Sequence, residues 1–303
     1  MAEINVVTGA FGFTGKHIAG RLLTAGKEVL TLTGHPGREN PFGGRVAAAL
    51  YNFEQPAELT ATLKGATVLY NTYWIRFARG TMTFDKAVQN TKTLIEAAKD
   101  AGVCRIVHIS ITNPSADSPL PYFRGKAMVE QAIIESGLSY AILRPAVIFG
   151  DEGILINNIA WLLRRFPIFA VPGSGDYQLQ PIFVEDLAEL AVTLGAGNDN
   201  IVTDPVGPET YPFDSLLQLI ARTVGSKAKI IHVNPTMAFL LSKVLGHIVG
   251  DVVLTRDEVN GLMANLLVSS QSPTGRTSLS DWLAENAHWI GTAYMSELKK
   301  HYR

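Results

Sequence analysis

The stretch Asn5-Val6-Val7-Thr8-Gly9-Ala10-Phe11-Gly12-Phe13-Thr14-Gly15-Lys16 decides how the rest of the chain folds. It lies in an apolar run, Ile4 to Val7, that reads as a buried parallel strand. Glycines at 9, 12 and 15 follow, and then a helix-period pattern of Ile18, Ala19, Leu22 and Leu23. Strand, glycine turn and helix in that order form the setting in which a glycine-rich loop cradles a dinucleotide. The turn must be tight, and a Cβ would hold a pyrophosphate off the backbone. The helix N-terminus must also offer its free N–H groups to the phosphates. The spacing is GxxGxxG rather than GxGxxG. Its place between the right two elements favours phosphate over a plain strand–helix turn.

Working outward, the first half alternates strands and helices. Strands are expected at Glu28 to Thr33, Arg45 to Leu50, Val68 to Tyr70, Arg105 to Ser110 and Ser139 to Leu143. Helices are expected at Pro56 to Leu63, Phe84 to Ala101 and Tyr122 to Ser136. In the second of these, Ala87, Val88, Leu94, Ile95 and Ala98 share one face. The pattern predicts an α/β fold with a doubly wound parallel (Rossmann) sheet and a ligand across its carboxyl edge. After Gly150 the rhythm changes. Leu155 to Phe166 reads as helix, Pro172-Gly173-Ser174-Gly175 as loop, Val184 to Leu194 as helix, and Ile201 to Val206 as a strand rejoining the sheet. Beyond Gly207, helices are expected at Phe213 to Val224, Thr236 to His247, Arg256 to Leu266 and Leu279 to Trp289. The expected division is a dinucleotide-binding domain over residues 1–150, completed by 180–206. Residues 151–179 and 207–303 form a smaller, mostly helical, substrate-covering region.

Composition narrows the function. A net charge of −1 over 303 residues supplies no basic field for nucleic acid. Cys104 is the only cysteine, which excludes a disulfide framework and argues for a reducing compartment. Met1 leads through Glu3 into the first strand, leaving no room for a signal peptide. The most apolar later stretch, Phe239 to Leu254, is interrupted by Lys243, His247 and Asp251. It reads as an amphipathic helix buried against protein rather than one on a bilayer surface or across it. A soluble cytoplasmic protein is expected. The 7 histidines form no HExxH or i,i+4 pair, so no metal site is expected.

Pro121-Tyr122-Phe123-Arg124-Gly125-Lys126 is the second decisive stretch. Pro121 suits a helix start, which sets Tyr122 and Lys126 one turn apart on one face. An ammonium near a phenol favours the phenolate and brings the tyrosine towards working range for proton exchange with a carbonyl or alcohol oxygen. Such a pair is common on solvated helices. Here it opens the helix after the fifth strand, at the edge to which the glycine turn also points.

With these residues in view, the chain resembles the short-chain dehydrogenase/reductase superfamily in its extended or atypical branch. The matching pieces are Thr8 to Gly15, the Tyr122/Lys126 pair, Leu143-Arg144-Pro145-Ala146-Val147-Ile148-Phe149-Gly150, Val184-Glu185-Asp186-Leu187-Ala188, and Asn90 in its helix. Within the branch it looks most like the NmrA-like group and the nucleotide-binding accessory subunit of respiratory complex I. The resemblance covers most of the first 206 residues and implies roles position by position. Tyr122 would be the acid/base, and Lys126 would hold the nicotinamide ribose. Ser110 would hydrogen-bond the substrate oxygen, with Thr112 a second candidate. Gly9, Phe11, Gly12, Phe13, Thr14 and Gly15 would carry the phosphates, and Asn52-Phe53 would approach the adenine. Asn71-Thr72 would line the ribose side, and Pro145, Ala146 and Val147 would pass beside the nicotinamide. Asn90 would tie its helix to the active-site strand.

One departure bears on the cofactor. A free ribose 2′-OH usually meets an acid at the end of the second strand, where this chain reads Thr33-Gly34-His35-Pro36-Gly37-Arg38. Thr33, His35 and Arg38 suit a 2′-phosphate, so NADP(H) is expected over NAD(H), unless both cations are only turn residues. Tyr70, Tyr73 and Trp74 form either an apolar substrate wall or ordinary core. Arg164-Arg165 would serve a helix C-terminus more simply than an acidic substrate.

Three functions follow in order. The first is an NADP(H)-dependent oxidoreductase acting on a small or moderately apolar carbonyl or alcohol. The second is a non-catalytic NAD(P)H-binding sensor or assembly protein. The third, a nucleotide-sugar epimerase or dehydratase, is weakened by the missing acid.

Overall fold

The computed structural model describes residues 3–301; Met1, from which the lack of a leader was read, lies outside the described residues. Six strands follow the expected order: β1 (Ile4–Thr8), β2 (Glu28–Thr33), β3 (Val46–Leu50), β4 (Ala66–Asn71), β5 (Arg105–Ile109) and β6 (Ser139–Leu143). With Ile201–Thr203 they make a 7-stranded sheet in which Ile201–Thr203 is followed by β6, β5, β4, β1, β2 and β3. Every pairing is parallel. Helices α1 (Phe13–Thr24), α2 (Pro56–Leu63), α3 (Phe84–Asp100) and α4 (Pro121–Glu135) join the strands. A sheet covered on both faces needs nearly continuous apolar strands, and all of β5 is buried. Because β1 lies between β2 and β4, the winding reverses there. Such a reversal opens a crevice beyond the carboxyl ends of the two strands.

The expected face of α3 is the buried one: Leu94 and Ala98 are fully enclosed and Ile95 nearly so. They pack with Ile106, Val129, Ile133 and Ile142 into one core. Burying a leucine of this kind contributes about 2 kcal/mol. The Thr83 hydroxyl caps α3 by accepting from the Lys86 N–H, which contributes about 1 kcal/mol.

The chain divides into two compact units. One holds the residues up to Arg144 together with Leu187–Asp204, and the other holds Pro145–Asp186 and the residues from Pro205 onward. The second unit is mostly helical, with α5 (Ile154–Arg165), the first turn of α6 (Val184–Gly195), α7 (Phe213–Thr223) and α8 (Pro235–Val249). Shorter helices follow at Arg256–Met263 and Leu279–Asn286. Its core is built on Phe149, Ile156, Leu163, Leu217 and Trp282.

Helices dominate from Gly207, as expected, but Lys229–Val233 is an unanticipated strand paired in parallel with Ile168–Pro172. Its run Ile230-Ile231-His232-Val233 is rich in β-branched residues, a preference masked by the exposed positions at Lys229, Ile231 and His232. The helix in Phe239 to Leu254 was expected to bury its apolar side. In α8 only Ala238 and Ser242 are buried, whereas Met237, Leu240, Leu241, Val244 and Ile248 stand 47–70 % exposed. The two small residues permit close approach to Ile168–Pro172. A helix apolar on nearly every side does not reveal by periodicity which side turns inward. No helix among the described residues is long and apolar enough to cross a membrane.

Candidate active site

The turn after β1 is tight because of two of its glycines. Gly9 has φ of +67°, where a side chain is strained, and its N–H donates to Leu32 O at 2.8 Å. A Cβ on Gly15 would lie 2.3 Å from the Gly9 carbonyl oxygen, so this glycine lets α1 close onto the turn. Gly12 differs from both. Its φ is −96°, and a Cβ there would meet only Gly9 O, at 3.2 Å. Folding alone therefore makes a weaker demand for glycine at this position, and the bare backbone leaves an approach for a pyrophosphate. No side chain among the described residues caps α1, so the first-turn N–H groups and the positive end of the helix dipole remain available to an anion. Phe11, Phe13 and Thr14 are half-buried around this end, with the Phe13 ring edge-on to His17. These features fit a dinucleotide phosphate.

Around the turn lie the other expected cofactor residues of the first unit. The Thr33 hydroxyl accepts from the His35 N–H at 3.1 Å, and the Arg38 N–H donates to His35 O at 3.1 Å. One small turn after β2 therefore presents the imidazole of His35, exposed, and the half-buried Arg38. Asn52 takes a left-handed conformation, φ +46°, that asparagine tolerates. Phe53 stacks on Tyr51 with centroids 4.9 Å apart, and the Tyr73 ring lies 5.1 Å from each. The Tyr51 hydroxyl oxygen lies 3.9 Å from where a Cβ on Gly9 would point, so this aromatic group adjoins the first glycine. Asn71 is fully buried. It accepts from the Thr8 hydroxyl at 3.2 Å and from the Tyr73 N–H at 3.1 Å, and its amide nitrogen faces His108 Nδ1 at 3.1 Å. Thr72 returns to β1, donating its N–H to the Thr8 hydroxyl and its own hydroxyl to Thr8 O.

On α4, Pro121 occupies the first turn and Tyr122 and Lys126 follow one turn apart. Lys126 is only 3 % exposed; its Nζ donates to Ile109 O at 2.7 Å and sits 4.7 Å from the Trp74 ring centroid. The Trp74 ring also lies 5.9 Å edge-on to Tyr122, which Phe84 flanks at the same distance. Gly125 admits the indole, since a Cβ would be 2.9 Å from Trp74 Cη2. Burial pushes the Lys126 ammonium down to about 7, with Glu130 opposing the shift. Burial, reinforced by Lys126, holds His108 neutral, well below the usual histidine range.

Ser110 is buried, and its hydroxyl donates to Glu130 Oε1. Glu130 is itself 3 % exposed and is clasped by Arg144 through Nη2 at 2.5 Å and Nε at 3.1 Å. The one proton of Ser110 is thus engaged by a carboxylate. Thr112 is fully buried. Asn90 donates to the Tyr73 hydroxyl at 2.8 Å and so holds α3 to the turn after β4, a different partner from the strand that the resemblance implied. Tyr70 is core: it is 1 % exposed and its hydroxyl lies where a Cβ on Gly195 would fall. Pro145, Ala146 and Val147 open the second unit, where Val147 O accepts from the Ile182 N–H at 2.8 Å. Arg164 donates to Ile290 O, Val224 O and Ala287 O, a structural use of its guanidinium.

Sequence reasoning passed over Glu130 and His108. Glu130 stands four residues beyond Lys126, hence on the same helix face, and His108 shares a strand face with Ser110. Both signals were readable. Trp74 Nε1 and His108 Nε2 are buried with no hydrogen-bond partner among the described residues.

Lys126 also governs stability. Its folded value of about 7 lies below the ordinary lysine value of about 10.4, so between these limits the unfolded chain binds the extra proton. Stability should rise with pH across that window, and the penalty is full below it. Lys126→Met should flatten the rise and stabilise the fold near neutral pH by about 2–4 kcal/mol. Urea unfolding of both proteins across the window checks this.

Comparison with known proteins agrees with the geometry. Residues 9–157 match a family model described as NAD(P)H-binding. The chain is similar to atypical short-chain dehydrogenase/reductase proteins of the NmrA-like and complex I subunit kind. It is 21 % identical over 288 residues to the mitochondrial NADH dehydrogenase (ubiquinone) 1 alpha subcomplex subunit 9 of Arabidopsis thaliana, covering 89 % of this chain and 72 % of that one. It is 24 % identical over 244 residues to a photosystem II assembly factor of Cyanidium caldarium, covering 80 % and 78 %. Among solved structures, the fold matches an NADPH-dependent quinone oxidoreductase of Escherichia coli with a TM-score of 0.75 at 20 % identity, covering 94 % and 98 %. It also matches the triphenylmethane reductase of Citrobacter sp. with a TM-score of 0.73 at 19 % identity, covering 94 % and 99 %.

Proposed function

We propose that this chain is an NADP(H)-dependent oxidoreductase acting on a small or moderately apolar carbonyl or alcohol. The observation that carries the reading is the Trp74 ring, whose centroid lies 5.9 Å from that of Tyr122 and 4.7 Å from Lys126 Nζ, so that one indole adjoins both side chains. The bound dinucleotide supplies or accepts the hydride. Tyr122 gives its proton to the carbonyl oxygen in reduction, and the Lys126 ammonium stabilises the phenolate left behind. Since that ammonium persists below about 7, reduction is favoured on the acidic side of neutrality. Ser110 can donate to a substrate oxygen only by releasing Glu130.

A 2′-phosphate is assigned to Thr33, His35 and Arg38. Arg38→Ala should weaken NADPH about tenfold and NADH little, a difference that calorimetry with both cofactors reads.

The second reading, a dinucleotide-binding protein without turnover, is favoured by the engagement of Ser110 with Glu130 and of Lys126 with Ile109 O. The relatives include a complex I subunit and an assembly factor. NADPH oxidation across a panel of carbonyls, run beside calorimetric binding, separates the two. Oxidation supports the enzyme, and tight binding without oxidation supports the second reading.

A further inference from the structure

We propose that the outward face of α8 binds the surface of an anionic lipid bilayer. Met237, Leu240, Leu241, Val244 and Ile248 fall within a stripe about 100° wide and about 16 Å long. Their exposures run from 47 % at Leu241 to 70 % at Ile248. The opposite face packs through Ala238 and Ser242, so α8 is already fixed to its own unit and still presents five large apolar side chains. A contiguous patch of this kind marks a contact surface.

The charges around the stripe select the occupant. Between Asn234 and Gly250 there is no acidic residue. Lys243 and His247, both exposed, follow one margin of the stripe. Lys243 Nζ and the Arg256 guanidinium both lie over the Phe239 ring, at 4.8 and 5.5 Å, which draws two cations together on that side. The next acids in sequence after α8 are Asp251, Asp257 and Glu258. Asp251 is buried and accepts from the Tyr294 hydroxyl and from the N–H groups of Glu297 and Leu298. Glu258 caps its own helix with Thr255, leaving Asp257 as the remaining acid beside Arg256.

A second copy of the chain suits this face poorly, because an antiparallel twofold pairing would set the cationic margin against itself. An interfacial layer of anionic headgroups over acyl chains takes the stripe and the cations together. The whole chain carries a net charge of only −1, so the attraction is a property of this face.

The test is sedimentation of the full chain with vesicles of phosphatidylcholine alone and of phosphatidylcholine mixed with phosphatidylserine. Binding to the mixed vesicles, weakened by salt, is expected. The double variant Val244→Asp, Ile248→Asp should lose at least tenfold in binding, and the double variant Lys243→Glu, Arg256→Glu several-fold. Unchanged melting temperatures would show that both variants fold. Failure to bind mixed vesicles overturns the proposal, as does binding that neither variant weakens. A concentration-dependent dimer that Val244→Asp abolishes, without vesicle binding, would also overturn it by giving the face to a second copy.

Discussion

Tyr122→Phe is expected to lower the rate of carbonyl reduction by about a thousandfold, the range of a lost acid/base group, while NADPH affinity changes only a few-fold. The asymmetry follows from what the ring touches. The Tyr122 ring is held by Trp74, Phe84 and Phe123, and phenylalanine keeps those edge contacts. The phosphate turn at Gly9 to Gly15 is built from other residues and should be unaffected. The substitution therefore removes the exchangeable proton and keeps the ring contacts. Stopped-flow hydride transfer together with calorimetric titration would measure both halves, and full activity in the variant would remove Tyr122 from the chemistry.

Gly15→Ala should be the most damaging single change in the turn. Its Cβ would be placed 2.3 Å from Gly9 O and 2.7 Å from Gly9 C, both backbone atoms that cannot rotate away. Relief requires α1 to move off the sheet, at a cost of about 2–4 kcal/mol. Dinucleotide affinity should fall at least a hundredfold, because the first-turn N–H groups move with the helix. Gly12→Ala is the control. With 3.2 Å to Gly9 O and φ of −96°, it should cost at most about 1 kcal/mol in stability. Its methyl group would nevertheless stand in the pyrophosphate's approach. Denaturation midpoints and dissociation constants should thus separate the glycine needed for folding from the one needed for the ligand. Equal stability losses in the two variants would contradict this account.

The sheet was legible because its physics is local and repetitive. β1, β2 and β5 are apolar runs closed by turn residues, and α3 carries a clear 3.6-residue period. Even Ile201–Thr203, separated from β6 by the whole stretch between, could be read from its β-branched residues. The small pairs Ile148–Phe149 with Ile182–Phe183 and Gln178–Leu179 with Tyr211–Pro212 could not, because two residues carry no period. At the candidate site, the glycines, Tyr122 and Lys126 were marked by spacing. The engagement of Glu130 by Ser110 and Arg144 depends on three segments converging, which no spacing encodes. The indole of Trp74 came to rest against Gly125 for a similar reason: the missing Cβ matters only once the segment after β4 lies against α4.

The strand at Ile201–Thr203 closes the edge of the sheet at β6, yet it reaches that edge only after the chain has passed through Pro145–Asp186. The sheet-bearing half is therefore discontinuous along the polypeptide. No single scission releases it whole, and a fragment ending at Gly150 would leave one edge of β6 unpaired and open to joining other chains, its other edge staying paired with β5. Insertions or deletions between Pro145 and Asp186 would lengthen or shorten a detour while the sheet kept its register. That arrangement lets one half of such a protein diverge while the other is held constant.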